Sequence, residues 1–292
     1  MTSLTPIVLR QDEFERFRAL AYQAAGINLT EAKKQLVQSR LFKRLRHYGL
    51  SSFQEYLRLV DSEGENGNEM RYLINSLTTN KTDFFREPHH FRYISQTILP
   101  DMIDQAAHGR RARRIRVWHA GCSTGQEPYT NAMTIADTLR GQGMWDVRLL
   151  ASDIDTDVLA TAKEATYSAE QLEPVPAALK ERYLKRVMGR MDQYQVTQDL
   201  RGMIAFRQIN LNEDAWPIRA DVRFDIIFCR NVVIYFDKPT QRKLFGRFQR
   251  LLVPGGYLFI GHSESLFGIN DAFETVGGTI YRAPDETESV AR

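Results

Sequence analysis

A strand-like segment, a glycine turn and a helix-like segment follow one another in "VWHAGCSTGQEPYTNAM", residues 117–133. Gly121 and Gly125 bound the turn, and Glu127 lies in the first turn of the following helix. In dinucleotide-binding folds a middle glycine lets a pyrophosphate approach bare backbone, whereas residues 122–124 carry side chains that fill this space. A helix N-terminus attracts anions, but the Glu127 carboxylate would repel one. The turn therefore favours a zwitterionic or cationic ligand over NAD.

Two aspartates end the next strand-like segment, "LLASDID". A carboxylate at this point can accept hydrogen bonds from both ribose hydroxyls of an adenosine. We favour Asp153 for this role because it is the first aspartate to leave the strand, with Asp155 in reserve. Asp155 has an alternative role, since an acidic residue here also caps the N-terminus of a helix over "TDVLATAK".

A third polar pair stands in "FDIIFCRNVVIYF". The segment is mostly apolar until Arg230 and Asn231 appear at its end, and open α/β sheets bind ligands at the carboxyl ends of their strands. "LLVPGGYLFIG" then reads as a helix ended by residues 254–256 and followed by another strand. The order of these pieces predicts the sheet of an adenosine-binding methyltransferase.

Alternating strands and helices are expected to position these residues from Ile115 onward. Strands are predicted at 115–120, 147–152, 204–209, 224–229, 257–261 and 279–283, and helices at 126–140, 156–165 and 239–252. The alternation predicts an α/β fold with a doubly wound, mostly parallel sheet. Residues 166–203 are too long for a simple connection, so we expect an inserted antiparallel β subdomain, part helix, with "QYQVT" as an edge strand.

The first part of the chain reads as helices only. Phe14, Phe17 and Leu20 recur at helical spacing before Gly26, and further helices are expected over 30–48, from Ser52 and over 70–77. These patterns predict an N-terminal helical domain at 1–78, a sheet domain at 79–292 and the insert at 166–203. The last ten or so residues are polar and are expected to fray.

The composition is that of a soluble globular protein, with 43% apolar and 26% charged residues and a mean hydropathy of −0.40. No apolar run approaches the roughly 20 residues of a membrane span, and the N-terminus lacks signal-peptide design. We therefore expect a cytoplasmic protein. Cys122 and Cys229 are expected to be buried and reduced, and the scattered histidines imply no metal site. A net charge of +3 says little about nucleic acid.

Five motifs carry a resemblance to a known family: "TTNKTDFFREPHHF" (78–91), "AGCSTGQEPY", "ASDIDTDVL", "FCRNVVIYFD" and "GHSESL". Together they resemble the chemotaxis receptor methyltransferases, the CheR family, over nearly the whole chain including the helical domain. The resemblance implies a class I S-adenosylmethionine (SAM) enzyme that methylates glutamate side chains of bacterial chemoreceptors. It also implies S-adenosylhomocysteine (SAH) as product and no metal.

The same resemblance assigns roles to individual residues. The residues implied to bind SAM are Asn80, Thr82, Arg86, Glu127, Asp153, Asn210, Leu211, Arg230 and Asn231. Glu127 would hold the amino group and Asp153 the ribose, while Asn210 and Leu211 would border the adenine. Arg86 and Tyr235 would be catalytic, beside the transferred methyl group. The alternatives are a domain-interface salt bridge for Arg86 and a core position for Tyr235.

The implied reaction is an in-line displacement on an activated methyl group. A glutamate carboxylate is ionised near neutral pH and needs no general base, so the enzyme works mainly by alignment. Arg86 would hold the non-attacking oxygen of the acceptor, and Tyr235 would fix the angle of approach.

A basic segment lies between Thr30 and Tyr48, with six Lys or Arg residues and a single Glu. On a helical wheel one face is apolar, and another face is basic and formed by Lys33, Arg40, Lys43, Arg44 and His47. A charged face is usually only a solvated face, but the nearly pure sign favours an anionic partner, and the resemblance implies the methylation helices of a chemoreceptor.

The sequence says less about other partners, namely a receptor C-terminal peptide, nucleic acid, membranes and a second copy of the chain. The turn in "KRVMGRMDQYQVT" is short and has one glycine, which makes docking of a receptor C-terminal pentapeptide doubtful. No nucleic acid and no membrane insertion are expected, and the chain is expected to be a monomer. Two rival functions remain: a class I methyltransferase acting on RNA or a small molecule, and a SAM-sensing, receptor-binding module without catalysis.

Overall fold

A computed structural model of the chain describes residues 7–64 and 67–285. The predicted fraying of the C-terminus falls mainly on residues 286–292, which lie outside the described residues. In the described ranges, no helix is long and apolar enough to cross a membrane.

Four helices and a short 3-10 turn form the N-terminal domain. They are α1 (Gln11–Ala25), the turn Glu31–Lys33, α2 (Lys34–Tyr48), α3 (Phe53–Glu63) and α4 (Asn68–Leu77). Their apolar faces share one core, in which Phe14, Phe17 and Leu41 are fully buried. Helix α1 ends at Gly26, whose left-handed backbone (φ 68°) lets its N–H reach the Tyr22 carbonyl at 2.8 Å. The all-helical domain expected from the spacing is thus confirmed.

The rest of the chain alternates strands and helices. The strands are β1 (Arg114–Ala120), β2 (Asp146–Asp153), β3 (Thr166–Ser168), β4 (Leu184–Arg186), β5 (Gln193–Val196), β6 (Ile204–Gln208), β7 (Phe224–Cys229), β8 (Leu252–Ile260), β9 (Glu274–Gly277) and β10 (Ile280–Arg282). The helices are α5 (Pro88–Tyr93), continued by a π-helical turn (Ile94–Ile98), α6 (Leu99–Ala107), α7 (Gln126–Thr138), α8 (Thr156–Glu164), α9 (Ala177–Tyr183), α10 (Gln198–Met203), a 3-10 turn (Val233–Tyr235) and α11 (Lys238–Leu251).

The main sheet has seven strands in the order β6-β2-β1-β7-β8-β10-β9. The first five in this order pair in parallel, and β10 runs antiparallel to both β8 and β9. Every residue of β7 is buried because helices cover both faces of the sheet. The strand order reverses between β1 and β7, which is where doubly wound sheets form their ligand crevice. The expected fold class is confirmed.

Two details of the sheet differ from the prediction. Helix α11 ends at Leu251, and the Pro254–Gly256 segment lies inside β8 rather than ending the helix. The pairing of β7 with β8 shifts register between Phe224 and Ile226, so that a bulge accommodates the proline. A side chain at Gly256 would lie 2.9 Å from the Val253 carbonyl oxygen, so the bulge requires glycine.

The insert folds as a separate three-stranded antiparallel sheet in the order β3-β5-β4, with α9 before β4. The prediction of "QYQVT" as an edge strand is wrong, because β5 is the central strand. Tyr194 pairs with Tyr167 of β3 on one side and with Arg186 of β4 on the other. Strands β3 and β4 have three residues each, too few for an alternating pattern to reveal them.

The helical domain lies over the carboxyl ends of the parallel strands. The Asn28 N–H donates to the Tyr235 carbonyl at 2.8 Å, and Asn210 Nδ2 donates to the Ala24 carbonyl at 2.7 Å. Tyr22 adds a hydrogen bond from its hydroxyl to Asp237 Oδ2, also at 2.8 Å. These contacts place the end of α1 and the segment after it at one side of the ligand crevice.

Candidate active site

A cavity of about 390 Å³ opens at the carboxyl ends of β1, β2 and β7, within the usual size range of small-molecule sites. Its walls come from the helical domain, the segment 78–86, the glycine turn and the segments after β2, β6, β7 and β8. The sequence-predicted residues that line it are Asn80, Thr82, Arg86, Glu127, Asp153, Asn210, Leu211, Arg230, Asn231 and Tyr235. Residues 155 positions apart thus meet in one pocket, while the individual roles stay predictions.

The glycine turn after β1 is pinned to the end of β2. Gly121 and Cys122 both donate their N–H groups to the Ser152 carbonyl, at 2.8 and 2.9 Å. Gly121 has φ 95°, and a side chain there would lie 2.3 Å from Val232 Cγ2. Glycine is therefore required for both the backbone conformation and the close approach of the β7 loop.

Asp153 lies buried against this turn. Its Oδ2 accepts from the Ser123 N–H at 2.8 Å and its Oδ1 from the Asp155 N–H at 3.1 Å. Burial raises the pKa of Asp153 to about 6. Since each carboxylate oxygen can accept more than one hydrogen bond, Asp153 keeps acceptor capacity toward the cavity that it lines.

Asp155 takes the capping role that was its alternative. Its Oδ1 accepts from the Asp157 N–H at 2.8 Å and from the Val158 N–H at 3.4 Å, which caps the N-terminus of α8. Its Oδ2 accepts from Asn80 Nδ2 at 2.8 Å. The Asn80 carbonyl in turn accepts from the Ser123 hydroxyl at 2.8 Å. Asn80 therefore fastens the 78–86 segment to the glycine turn.

Glu127 supplies a negative charge at the base of the cavity. His119 Nδ1–H donates to its Oε1 at 2.8 Å, and Arg230 Nη1 donates to its Oε2 at 3.1 Å. Asn131 Nδ2 lies 3.4 Å from His119 Nε2, on the other side of the ring. Burial would raise the pKa of Glu127, but the hydrogen bond from His119 and the charge of Arg230 outweigh it and lower the pKa. The carboxylate is therefore ionised.

Arg230 is almost fully buried, with 2% of its side chain exposed. Besides Glu127 it reaches the Arg86 carbonyl, to which Nη2 donates at 2.5 Å. Its Nη2 also lies 3.2 Å from Glu87 Oε2, without hydrogen-bond geometry. The resemblance assigned Arg230 to the SAM site but the sequence analysis missed Glu87, because an acidic residue before a proline carries no distinctive signal.

Asn231 adopts a left-handed conformation (φ 59°), and its N–H donates to Glu264 Oε2 at 2.9 Å. Glu264 also accepts from the Gly261 N–H at 2.6 Å. Burial raises the pKa of Glu264. Glu264 lies in "GHSESL", a motif of the resemblance to which no residue role was given, and the structure shows that it shapes the loop after β7.

Arg86 and Tyr235 are far apart in the sequence, and both line the cavity. Arg86 Nη1 donates to the Lys81 carbonyl at 3.0 Å, and within the described ranges Arg86 forms no salt bridge. Its neighbours Phe85 and Glu87 both have left-handed backbones, with φ of 54° and 57°. The Tyr235 ring lies under the Lys33 ammonium, 4.9 Å from Nζ to the ring centroid.

The adenine-side residues are also tied to their surroundings. Asn210 donates to the Ala24 carbonyl, and its Oδ1 accepts from the Asn212 N–H at 3.0 Å. Leu211 packs beside the core under α11. The position of this wall therefore depends on the helical domain.

The predicted basic face of α2 is narrower than expected. Arg40 Nη1 donates to the carbonyls at the end of α4, including Thr78 at 2.8 Å, and Arg44 pairs with the fully buried Glu69. The expectation that both arginines face a partner is therefore corrected: their guanidinium groups hold α2 against α4. Lys33 is half-buried, and only Lys43 and His47 of the five predicted residues are exposed.

No group of three or more His, Cys, Asp and Glu side chains within residues 7–64 and 67–285 is arranged to hold a metal ion. Cys122 and Cys229 are both free and buried, as expected.

Comparisons with known proteins agree with the arrangement of the two domains. Residues 12–78 match the family model "CheR methyltransferase, all-alpha domain", and residues 80–282 match "CheR methyltransferase, SAM binding domain". A chemotaxis protein methyltransferase 2 of Pseudomonas aeruginosa is 43% identical over 274 residues, which cover 93% of this chain and 92% of that protein. The chemotaxis protein methyltransferase of Escherichia coli is 43% identical over 277 residues, with 94% and 92% covered. A probable chemotaxis protein methyltransferase of Rhizobium etli is 42% identical over 266 residues, with 90% and 96% covered.

The family models match both domains, and this agrees with the five sequence motifs, the strand order of the sheet and the residues that line the cavity. The chain belongs to the CheR methyltransferase family.

Proposed function

We propose that this protein transfers the methyl group of SAM to glutamate side-chain carboxylates of bacterial chemoreceptors, in the cytoplasm. The observation that carries the proposal is one cavity with an ionised Glu127 at its base and with Arg86 and Tyr235 in its walls. When bound, SAM supplies a methyl group on a sulfonium, which is already activated for displacement. The residues of the chain then have to bind SAM, orient the acceptor carboxylate toward the methyl group and exclude water from the site.

The cavity suits two polar groups of SAM, the ammonium of its amino-acid end and the ribose that joins this end to the adenine. The ionised Glu127 suits an ammonium group because a charge-assisted hydrogen bond there compensates for the loss of water. Asp153 suits a ribose, whose two hydroxyls can each donate to a carboxylate oxygen. The two carboxylates lie at the ends of neighbouring elements, α7 and β2, so one ligand can reach both.

Arg86 is the residue best suited to hold the acceptor. A guanidinium has five N–H donors, and Arg86 uses one of them on the Lys81 carbonyl. The remaining donors suit the two oxygens of a glutamate carboxylate. Tyr235, whose backbone is held by Asn28, would limit the angle at which that carboxylate approaches.

The helical domain would present the acceptor to this mouth. Lys43 and His47 are the exposed members of the predicted basic face, while Lys33 lies nearer the cavity, over Tyr235. Acidic helices of a receptor would be attracted by these charges. We further propose that the protein acts as a monomer. We also propose that it acts without docking a receptor C-terminal pentapeptide, since the β4–β5 hairpin turn spans only residues 187–192.

The test is to incubate the protein with methyl-labelled SAM and membranes that carry the host's chemoreceptors, and then to treat the product with mild base. Glutamyl methyl esters release labelled methanol, whereas N-methyl products do not. Arg86→Ala should remove most of the signal because alignment of the acceptor is lost, by about 100-fold.

The matched control is Arg92→Ala, which removes an exposed arginine from α5, away from the lining of the cavity, and should leave the signal unchanged. If SAM binds tightly but no methanol is released from any receptor, the acceptor is wrong. RNA and small molecules then become the candidates to test.

A further inference from the structure

We infer that Glu87 is a positioning residue of the SAM site: through Arg230 it keeps the charge of Glu127 available for the ligand's ammonium group. The inference rests on one part of the proposed function, that the amino-acid end of SAM binds at Glu127. It does not depend on the identity of the methyl acceptor. Glu87 is absent from the walls of the cavity, so it acts through another residue.

The first argument is the order of the three charges. Arg230 lies between two carboxylates, with Nη1 3.1 Å from Glu127 Oε2 and Nη2 3.2 Å from Glu87 Oε2. All three side chains are largely buried, with 2%, 13% and 9% exposed for Arg230, Glu127 and Glu87. Buried charges interact strongly because little water screens them.

The second argument is the charge balance. One guanidinium and two carboxylates leave the cluster with one net negative charge. Without Glu87, the guanidinium would be balanced by Glu127 alone, and the base of the cavity would be neutral. His90, which also packs nearby, does not restore the balance, because burial and the charge of Arg230 lower its pKa to about 4. With Glu87 present, an arriving ammonium meets an uncompensated negative charge.

The third argument is that hydrogen bonding in the cluster is incomplete. Among the residues that the structure describes, Glu87 Oε2 and Arg230 Nε have no hydrogen-bond partner. Glu87 Oε1 accepts from the His262 N–H at 3.3 Å and from His262 Nδ1–H at 3.0 Å. Burial would raise the pKa of Glu87, but the charge of Arg230 and the hydrogen bond from His262 lower it. An ionised carboxylate with a buried oxygen that accepts no hydrogen bond costs stability even beside a guanidinium, and such a group in a native structure calls for a functional explanation.

The fourth argument is backbone strain. Arg86 stands between two non-glycine residues in the left-handed region, a conformation that is unfavourable for a residue with a Cβ atom. Such strain persists only where the surroundings hold the chain in place. The hydrogen bond from Arg230 to the Arg86 carbonyl and the contact of His262 with Glu87 are two of the restraints, and the Phe85 N–H adds a third by donating to the Thr130 hydroxyl at 3.2 Å. Arg230 therefore contacts both Glu127, which we propose binds the ammonium group, and the backbone of Arg86, which we propose binds the methyl acceptor.

The experiment compares two ligands by calorimetry on the full chain. SAH carries the amino-acid end, and 5′-methylthioadenosine has the same nucleoside without it. Glu87→Gln keeps the shape but removes the charge, so we expect SAH to bind about tenfold more weakly. The affinity for methylthioadenosine should stay unchanged, and Glu87→Asp should recover part of the loss for SAH.

The control is Asp225→Asn, at the opposite end of β7. Asp225 is also buried and also pairs with an arginine, Arg111, at 2.9 Å. This variant should lower the melting temperature without changing the ratio of the two affinities. If Glu87→Gln weakens both ligands equally, or neither, the inference is wrong. If the wild type releases no methanol but the ratio changes in Glu87→Gln, the proposed acceptor is wrong and the inference about Glu87 stands.

Discussion

The helical domain and the sheet domain each contain a buried arginine paired with carboxylates, Arg44 and Arg230. The two clusters have the same kinds of groups but differ in what they do. In the helical domain, Arg44 pairs with one carboxylate of the described residues, that of Glu69. Both oxygens of Glu69 are used, since Oε2 accepts from Arg44 Nε at 2.8 Å and Oε1 accepts from the Tyr48 hydroxyl at 2.8 Å. The charges are balanced, both carboxylate oxygens of Glu69 accept hydrogen bonds, and neither residue lines the cavity.

In the sheet domain, Arg230 faces two carboxylates. The charges are unbalanced, Glu87 Oε2 and Arg230 Nε lack hydrogen-bond partners in the part of the chain that the structure describes, and Glu127 lines the cavity. The first cluster joins α2 to α4 and stabilises the domain. The second leaves a charge free for a ligand. The balance of charge and the use of both carboxylate oxygens, rather than the presence of an ion pair, separate the structural cluster from the proposed functional one.

The largest effect is expected from breaking the balanced cluster. Glu69→Gln leaves Arg44 without its counter-charge, and removing one partner of a buried pair typically destabilises by about 3 kcal/mol or more. Chemical denaturation should show this loss, while SAH affinity of the folded protein should not change. Asp61→Asn is the matched control, since it breaks a half-exposed pair with Arg16 in the same domain and should cost less than about 1 kcal/mol. A loss of SAH affinity in Glu69→Gln would remove the contrast between the clusters.

The second prediction is a loss of ligand affinity in a protein that remains folded. Glu127→Gln removes the carboxylate that faces the cavity, and loss of a hydrogen bond to a charged group should weaken SAH binding by about 10- to 100-fold. Calorimetry measures the affinity, and thermal unfolding checks that the protein remains folded. The contrast would fail if Glu127→Gln lowered stability but left the affinity for SAH unchanged.

The third effect is a pH dependence of ligand binding. Burial raises the pKa of Asp153 to about 6, so the carboxylate is protonated below that pH and cannot accept from both ribose hydroxyls. Donors from the ligand stabilise the ionised form, so SAH affinity should fall as the pH drops below 6 and level off above 7. The expected slope is up to about tenfold per pH unit. Asp153→Asn should bind weakly at all pH values without this slope, and an unchanged slope in that variant would contradict the assignment.

The smallest effect concerns the exposed charges of α2. Lys43→Glu combined with His47→Glu should raise the KM for chemoreceptor membranes about threefold to tenfold, because each exposed charge contributes modestly. SAH affinity should be unchanged, and added salt should reduce the difference between variant and wild type. Arg242→Glu in α11, which is distant in sequence and exposed, serves as the control. Equal KM values for variant and wild type would mean that this face is only solvated.

The sequence determined the fold, the family and the membership of the pocket. Strands as long as β1 and β2 have continuous apolar patterns and were predicted within a residue at each end. The glycine turn, Asp153 and Arg230 each follow a strand, and the carboxyl ends of parallel strands lie at one edge of a sheet. Their meeting was therefore predictable, whereas the short strands β3 and β4 were not, because three residues show no periodicity.

Only the tertiary structure decided how the charges are paired. A helical wheel gives the direction of a side chain but not what packs against it, so Arg40 and Arg44 looked free until α4 was placed beside α2. Glu87 and Glu127 are 40 positions apart, and nothing in their spacing indicates that Arg230 lies between them. Ion pairing depends on distances between distant segments and on the exclusion of water, and both are set by packing of the whole chain.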